Sequence, residues 1–281
     1  MNLSIVIVNW NTKEFLRRCL ESLRANPPSG EFEVIVIDNA SADSSAEMVR
    51  QEFPEAVLIE NQENLGYAQG NNQGIAASKG EYVLLLNPDT EVTPGTFDAL
   101  LKFAKSRPDA AAVGCRLINP DGGVQSSCRS FPSPLPLLFE YTKLSRLFPR
   151  SRLFGAYRMT YFDYSRVAEV DQPMGSCLLL SRKATEDVGA FDEGFPIFFN
   201  EVDWCFRAVQ RGWKAYFTPD AEVLHHGGAS TRQAKAEMIR ESHESLGRFY
   251  EKHYKGRLPW AVYRLIRFAI GANSRIASRL K

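Results

Sequence analysis

The run from Val83 to Leu86 constrains the fold of this chain more than any other stretch of its sequence. Four consecutive aliphatic residues predict a short strand that is buried on both faces, as in a parallel sheet. Pro88 has no amide hydrogen to donate to a neighbouring strand, so the strand should end just before it. Asp89 would then lie past the carboxyl end of a central strand, where open α/β sheets bind their ligands.

Two interpretations of Asp89 follow from this position. Its carboxylate would suit a hard divalent cation that bridges to phosphate oxygens. In the second interpretation, Asp89 forms an Asx turn and caps a helix that begins near Thr93. The segment on its own does not decide between a metal ligand and a helix cap.

Strand and helix patterns alternate through the first part of the chain. Aliphatic runs predict strands at Leu3–Val8, Phe32–Ile37, Val57–Glu60 and Tyr82–Leu86. Apolar residues at helical spacing predict helices at Lys13–Ala25, Ser41–Phe53 and Thr93–Ser106. This order predicts an α/β fold, in which a mostly parallel, doubly wound sheet is flanked by helices.

The second part of the chain is less regular. Further strands are predicted at 111–118, 177–181, 214–217 and 221–224, and further helices at 199–211 and 233–253. The stretch 130–170 begins Pro-rich and has little periodicity, which predicts an excursion or a flexible loop.

Composition excludes several classes of protein. Lys and Arg number 34 against 33 Asp and Glu, for a net charge of +1, so no nucleic-acid partner is expected. The five cysteines are scattered and form no CxxC pair, which predicts reduced, buried thiols in a cytoplasmic protein. The first residues lack the features of a signal peptide, and no run reaches the roughly 20 apolar residues of a membrane span.

Polar residues follow two further segments. Asp38 ends the second predicted strand, where its carboxylate would accept hydrogen bonds from a ribose or a base. The segment Asn64–Gly74 is dense in Gly and Asn, which predicts a loop whose amides approach a phosphate or a sugar. It matches neither a P-loop nor a dinucleotide fingerprint, and taken alone it favours a simple turn and helix cap over a ligand-binding loop.

A second acidic group, Glu201 and Asp203, lies near the start of a predicted helix among aromatic residues. The helix dipole favours acidic residues at this position whatever their function. A carboxylate held against aromatic rings also has a raised pKa and serves as a general base. His225 and His226 follow the last predicted strand, where they would either bind a metal or be structural.

Seven motifs in this order resemble those of family 2 glycosyltransferases, particularly the bacterial rhamnosyltransferase-like branch. They are Ser4–Asn11, Ile37–Ser41, Asn64–Asn72, Leu86–Asp89, Met174–Cys177, Asn200–Asp203 and His225–Gly228. The resemblance, from about Leu3 to about Tyr254, implies a GT-A fold over 1–230. That domain would comprise a nucleotide-sugar half (about 1–118) and an acceptor half (about 119–230), followed by a C-terminal helical extension over 231–281.

The resemblance also implies roles for individual residues. Asp89 matches the metal-binding aspartate of the family's Asp-x-Asp element, whose first position is Asn87 here. His225 matches a histidine that completes the Mg²⁺ or Mn²⁺ site in some relatives. Glu201 aligns with the catalytic base, where Asp is more usual, and Asp203 is the second candidate. The nucleotide-binding group is Asn9, Asp38, Asn64, Gly66, Asn71 and Asn87, and the acceptor-binding group is Gly175, Ser176 and Trp204.

The implied reaction is inverting transfer of a sugar, with rhamnose favoured, from a dTDP- or UDP-linked donor. The acceptor would be a hydroxyl of a glycan or a polyprenyl-diphosphate-linked sugar in cell-surface polysaccharide synthesis. Two alternatives remain open, a nucleotidyltransferase and a non-catalytic sugar-binding relative. Nucleotidyltransferases normally carry a Gly-rich basic loop near the N-terminus, where this chain has Asn9–Thr12.

The last segment of the chain differs in charge from the rest. From Lys255 to Lys281 there are seven Lys or Arg and no Asp or Glu, and apolar residues recur at helical spacing from Leu258. A basic amphipathic helix is typical of a membrane-surface segment, here at the inner face of the cytoplasmic membrane. The alternative is a helix that packs on the catalytic domain or on a second subunit of a homodimer.

Overall fold

The computed structural model describes residues 1–228 and 235–277. The strands are β1 (Leu3–Asn9), β2 (Phe32–Asp38), β3 (Val57–Glu60), β4 (Tyr82–Leu86), β5 (Thr90–Val92), β6 (Ala110–Ile118), β7 (Cys128–Arg129), β8 (Ala168–Val170), β9 (Gln172–Pro173), β10 (Cys177–Ser181) and β11 (Lys214–His225). The helices are α1 (Lys13–Ala25), α2 (Ser45–Glu52), α3 (Gly66–Ala77), α4 (Thr96–Lys105), α5 (Pro134–Tyr141), α6 (Leu144–Leu147), α7 (Arg182–Val188), α8 (Asn200–Gln210), α9 (Lys235–His253) and α10 (Trp260–Ala277).

Nine of the described strands form one central sheet. Eight of them follow the order β3-β2-β1-β4-β10-β6-β11-β5, and β8 pairs with β11. β3, β2, β1 and β4 are parallel to one another, and β6 is parallel to β11. β10, β5 and β8 each run antiparallel to the strands they pair with. The predicted mostly parallel sheet with flanking helices is therefore confirmed, and β4 is buried near its centre.

Two strand predictions differ from the structure in informative ways. The predicted strands 214–217 and 221–224 are one strand, β11, whose register against β6 shifts between Thr218 and Glu222. The chain after Asp89 first forms β5, which pairs antiparallel with β11, so α4 begins at Thr96 rather than Thr93. Asp89 therefore precedes a strand, and it does not cap a helix.

The predicted loop at Asn64–Gly74 is wrong for most of its length, because α3 begins at Gly66. Its glycines allow a helix to approach the sheet closely. A Cβ atom at Gly70 would lie 2.8 Å from Cγ1 of Val8, and one at Gly74 would overlap Val6. A composition typical of loops is here a requirement of helix-on-sheet packing.

The stretch 130–170 contains α5, α6 and β8 and is anchored by buried side chains, among them Leu137 and Tyr157. α9 begins at Lys235, and the predicted start at 233–234 lies outside the described residues, as do 278–281 of the C-terminal extension. No helix within the described part of the chain is long and apolar enough to cross a membrane. All five cysteines are buried free thiols, as predicted.

Candidate active site

A cleft of about 840 Å³ opens beyond the carboxyl ends of β1 and β4, a size typical of pockets that hold whole ligands. The end of β4, the start of α3, the chain from 172 to 176 and the start of α8 form its walls, and α9 contributes Glu237, Met238 and Ser242. The cleft therefore lies where open α/β sheets bind ligands.

Asn9 and Asp38 are paired neighbours at the ends of β1 and β2. Asn9 Nδ2 donates to Asp38 Oδ1 at 2.9 Å, and the other Asp38 oxygen accepts the amide of Ser41 at 2.9 Å. Both side chains are buried. They support the floor of the cleft, whose surface is formed by the adjacent residues Val8, Trp10 and Asn39.

The start of α3 is fixed to the chain that leads into α8. The carbonyl oxygen of Pro196 accepts the amides of Tyr67 at 2.6 Å and Ala68 at 3.0 Å. Asn64 and Gly66 line the cleft, and Gly66 has a φ of +84°. Asn71 does not line it, because its buried side chain donates to the Tyr67 carbonyl at 2.8 Å.

Three polar side chains line the cleft together: Asn87 and Asp89, just after β4, and His225, at the end of β11. Asp89 Oδ1 lies 3.4 Å from Nε2 of His225. Asn87 Oδ1 and His225 Nε2 are buried and receive no hydrogen bond from another described residue. A buried acceptor left in this way is costly, so these atoms are suited to a ligand that supplies positive charge.

Gln125 fixes the tautomer of His225. Gln125 Nε2 donates to Asn119 Oδ1 and to the His225 carbonyl, both at 2.7 Å. Its Oε1, which lies 2.8 Å from His225 Nδ1, must therefore accept the Nδ1 hydrogen. In the neutral ring, Nε2 then presents its lone pair to the cleft beside Asp89, as in histidines that bind metals.

The donor set fits a divalent cation only in part. Across 1–228 and 235–277, no three His, Cys, Asp or Glu side chains are grouped closely enough to hold a metal. Asp89, His225 and Asn87 would supply part of a coordination sphere, and phosphates and water would supply the rest, as Mg²⁺ commonly requires. His226 is not available, because its Nε2 lies 2.8 Å from Glu91 Oε1.

Glu201, the second residue of α8, lines the cleft beside Gly175. A Cβ atom at Gly175 would lie 3.8 Å from Cγ and Cδ of Glu201, so the glycine leaves space next to the carboxylate. Burial raises the pKa of Glu201, while hydrogen bonds from backbone amides and the charge of Arg129 oppose that rise. The result is a carboxylate with increased basicity at the wall of a ligand-sized cleft.

Asp203 lies outside the cleft and is fully engaged within the protein. Its Oδ2 accepts Arg207 Nε at 2.8 Å, and its Oδ1 lies 2.7 Å from both Lys252 Nζ and His253 Nε2. Burial alone would raise the pKa of Asp203, but hydrogen bonds from His253, Lys252 and Arg207 outweigh it and lower the pKa to about 2. These contacts hold α8 against α9.

The predicted acceptor-side residues are divided by the structure. Gly175 and Ser176 line the cleft, and the Ser176 carbonyl accepts the Asn87 amide at 2.9 Å. Trp204 does not line it, because its ring is buried against Phe191 and its Nε1 donates to the Gly189 carbonyl at 2.9 Å.

Sequence analysis missed Tyr67 and Arg129 as cleft residues. The Tyr67 hydroxyl donates to the Gly175 carbonyl at 3.0 Å, and burial followed by the charge of Glu201 raises its pKa. Arg129 ends β7, directly before the stretch 130–170 for which the sequence predicts an excursion or a flexible loop. A single arginine before a Pro-rich segment gave no signal that distinguished it from a surface residue.

The fold is shared with solved glycosyltransferases. The mannosyltransferase of Pyrobaculum calidifontis, solved with GDP-mannose and Mn²⁺, covers 99% of this chain at a TM-score of 0.63 and 17% identity, and the chain spans 73% of it. GalNAc-T7, solved with UDP, GalNAc and Mn²⁺, covers 80% at a TM-score of 0.58 and 16% identity, and the chain spans 44% of it. These likenesses establish the GT-A fold.

Sequence comparison identifies the family. Residues 4–167 match the model of glycosyl transferase family 2. An N-acetylglucosaminyl-diphospho-decaprenol L-rhamnosyltransferase of Mycobacterium tuberculosis is 33% identical over 265 residues, which cover 90% of this chain and 85% of that protein. The chain therefore belongs to glycosyltransferase family 2, and this membership favours a glycosyltransferase over a nucleotidyltransferase.

Proposed function

We propose that this glycosyltransferase transfers a sugar, with inversion, from a nucleotide-diphosphate donor to a hydroxyl of a lipid-linked glycan. The observation that carries the proposal is that one cleft contains both Glu201 and the group formed by Asn87, Asp89 and His225. The first is a carboxylate of raised pKa. The second offers lone pairs at Asn87 and His225 that no other described residue engages in a hydrogen bond.

The end of β4 would hold the donor diphosphate through a cation. Asp89, His225 and Asn87 would be the protein ligands of Mg²⁺ or Mn²⁺, which neutralises the charge that develops on a departing diphosphate. The cleft-lining residues Asn64 and Gly66 at the start of α3 would contact the nucleotide. Asn9, Asp38 and Asn71 would support these contacts from beneath the surface.

Glu201 would act as the general base. Its carboxylate takes the proton from the acceptor hydroxyl, whose oxygen attacks the anomeric carbon from the face opposite the leaving diphosphate. The transition state is oxocarbenium-like, as in glycoside hydrolysis. Gly175 leaves space beside Glu201 for the acceptor, and Asp203 has a structural role.

Donor and acceptor are proposed from the mycobacterial relative. Its name describes transfer of L-rhamnose to a sugar linked through a diphosphate to a polyprenol. We propose the same classes of substrate here, namely a dTDP- or UDP-linked sugar with rhamnose favoured, and a polyprenyl-diphosphate-linked acceptor. The product would enter cell-surface polysaccharide synthesis.

A thermal-shift screen of UDP, dTDP, GDP and CMP, each with and without Mn²⁺ or Mg²⁺, tests the donor site. A ligand at a hundredfold excess over its Kd stabilises the fold by about 2.7 kcal/mol, which is a measurable shift. The proposal predicts a cation-dependent shift with one diphosphate. The absence of any shift with all four nucleotides would contradict the donor site and favour a non-catalytic sugar-binding protein.

We also propose that the C-terminal helix docks on an anionic membrane. α10 packs against α9 and buries Ile270, while Trp260, Leu265 and Phe268 are 73%, 68% and 73% exposed. Arg264 lies over the Trp260 ring at 5.4 Å, and α10 has no acidic residue. Exposed apolar groups among arginines match the boundary between anionic headgroups and lipid chains.

The segment of α5 and α6 also combines exposed apolar side chains with an excess of basic residues. Leu137 of α5 is buried in the cluster that contains Ile270, whereas Leu135, Leu138 and Leu147 are exposed. Five basic residues and one acidic residue occur between 134 and 158, namely Lys143, Arg146, Arg150, Arg152, Arg158 and Glu140. We propose that this segment and α10 contact the membrane together, at its cytoplasmic face.

Vesicle sedimentation tests this proposal. The wild type should bind vesicles of phosphatidylglycerol and not of phosphatidylcholine, and the triple variant Trp260→Ser, Leu265→Ser, Phe268→Ser should not bind. Val57→Ser is a control, because Val57 is an exposed residue of the edge strand β3. A homodimer that the triple variant dissociates, without any vesicle binding by the wild type, would show that a second subunit covers this face.

A further inference from the structure

Arg129 is a cation in the cleft whose side chain has no hydrogen-bond or ion-pair partner among the described residues. Among the described residues that line the cleft it is the single Lys or Arg, and Asp89, Glu201 and Glu237 are acidic. An arginine that faces a ligand-sized cleft without a carboxylate partner is suited to an anionic group of the ligand.

The backbone around Arg129 is held by hydrogen bonds, so the point from which its side chain extends has a fixed position. Arg129 pairs with Gln172 across the small antiparallel sheet of β7 and β9. The Phe131 amide donates to Asp171 Oδ2 at 2.7 Å, and Gln172 Nε2 donates to the Ser130 carbonyl at 2.8 Å. These bonds fix the strand end on the side that follows Arg129.

Arg129 lies on the same side of the cleft as Glu201, the proposed general base. β9 packs against α8, the helix of Glu201, and Arg129 is close enough for its charge to lower the pKa of Glu201. Asp89, in contrast, directly precedes β5, and His225 is the last residue of β11, the strand that pairs with β5. The acceptor hydroxyl must lie at Glu201, so an anion bound to Arg129 lies on the acceptor side.

We infer that Arg129 binds the diphosphate of the lipid-linked acceptor, and thereby places the acceptor hydroxyl at Glu201. The planar guanidinium presents paired N–H donors that match phosphate oxygens. In the acceptor class proposed above, the diphosphate and the attacked hydroxyl are on the same sugar, about one ring apart. Arg129 would therefore select a diphosphate-linked acceptor over a neutral glycoside. This inference rests on the proposed function.

The test compares two acceptors in the full-length protein, a short-chain prenyl-diphosphate N-acetylglucosamine and octyl N-acetylglucosaminide. We expect Arg129→Gln to raise the KM for the diphosphate acceptor by about 10- to 100-fold, and Arg129→Lys to restore part of it. The KM values for the donor and for the octyl glycoside should change little. Arg166→Gln removes the same charge from an exposed residue outside the cleft and should resemble the wild type.

Two results would overturn the inference. Equal losses on both acceptors would indicate a structural role, and a selective rise in the donor KM would place the donor diphosphate at Arg129. Calorimetric binding of the prenyl-diphosphate sugar is measured in parallel, without any transfer. If the wild type binds it through Arg129 but transfers nothing to either acceptor, the phosphate site stands and the proposed transfer fails.

Discussion

Glu201 and Asp203 are two residues apart on α8, yet only Glu201 lines the cleft, whereas both oxygens of Asp203 are bound by Arg207, Lys252 and His253. The two environments shift the pKa values of the two carboxyl groups in opposite directions. Burial raises the pKa of Glu201, and the three cationic or donor partners lower the pKa of Asp203 to about 2. One helix thus carries a candidate base and a structural anchor, and separate substitutions distinguish the two roles.

Glu201→Gln should reduce kcat by about 10²- to 10⁴-fold, the usual contribution of a general base, and leave donor affinity nearly unchanged. In the wild type, activity should fall as the pH drops through the pKa of Glu201, above the ordinary value of 4.5. The variant should lack this dependence. Steady-state kinetics across pH measure both effects, and normal turnover in the variant would exclude Glu201 as the base.

Asp203→Asn should instead reduce stability, because removing one member of a buried ionic network costs about 3–5 kcal/mol. Asp192→Asn is a matched control, since Asp192 also binds Lys252 but is partly exposed, and its loss should cost at most about 1 kcal/mol. Denaturant unfolding measures the difference. A large loss of kcat with unchanged stability in Asp203→Asn would make Asp203 the base.

The same network predicts how stability depends on pH. The folded-state pKa of Asp203 is about 2, below the roughly 3.9 of an unfolded aspartate. The carboxylate therefore stabilises the fold fully above about pH 5, and this contribution is lost as the pH falls towards 2. Stability should consequently decline less steeply over this range in Asp203→Asn than in the wild type, and equal slopes would contradict the ionic role.

Gln125 offers a test of the cation site that leaves its ligands in place. Replacing the partner that orients a ligating histidine weakens metal binding by about 10- to 100-fold. Gln125→Leu should therefore lower the affinity for Mn²⁺ by this factor, measured by titration in the presence of the nucleotide diphosphate that the thermal-shift screen identifies. Asp89→Ala should abolish transfer and cation dependence. Gln51→Leu, on the exposed end of α2, is the control. Unchanged Mn²⁺ affinity in Gln125→Leu and full activity in Asp89→Ala would together exclude the site.

Alanine substitutions at Gly74 and Gly271 distinguish the effect of close packing on stability from the effect of helix propensity. Alanine in a helix is favoured over glycine by roughly 0.5–1 kcal/mol, and a Cβ atom at Gly271 would have no atom of another described residue within 4 Å. At Gly74 it would overlap Val6 in β1, and overpacking costs about 1–3 kcal/mol. Thermal unfolding should show Gly271→Ala stabilised and Gly74→Ala destabilised, and stabilisation of both would exclude tight packing of α3.

The sheet could be predicted from sequence because its strands are aliphatic runs that end at polar residues. β3 and β4 match the predicted bounds, and β1 and β2 each extend by one residue, to Asn9 and Asp38. α3 could not be predicted in the same way. Glycines that permit contact with Val6 and Val8 have the composition of a loop, and only the packed structure shows their purpose.

Part of the site depends on contacts far apart in the chain. The positions of Glu201 and Asp203 in the sequence do not indicate which one faces the cleft, because the partners of Asp203 include Lys252 and His253 on α9. Arg129 likewise enters the cleft only through the pairing of β7 with β9. Local pattern identified the candidate residue types, and tertiary contacts place some of them in the cleft and others in structural networks.

Product formation by the wild type and by Glu201→Gln tests the proposed cation-dependent transfer directly. Each is incubated with dTDP-rhamnose or UDP-linked sugars and prenyl-diphosphate N-acetylglucosamine, with Mg²⁺ or with a chelator, and products are measured by mass spectrometry. The proposed mechanism predicts a glycosylated acceptor only with the wild type and the cation, while Glu201→Gln still binds the donor. Equal product from Glu201→Gln, or undiminished product in the chelator, would contradict it.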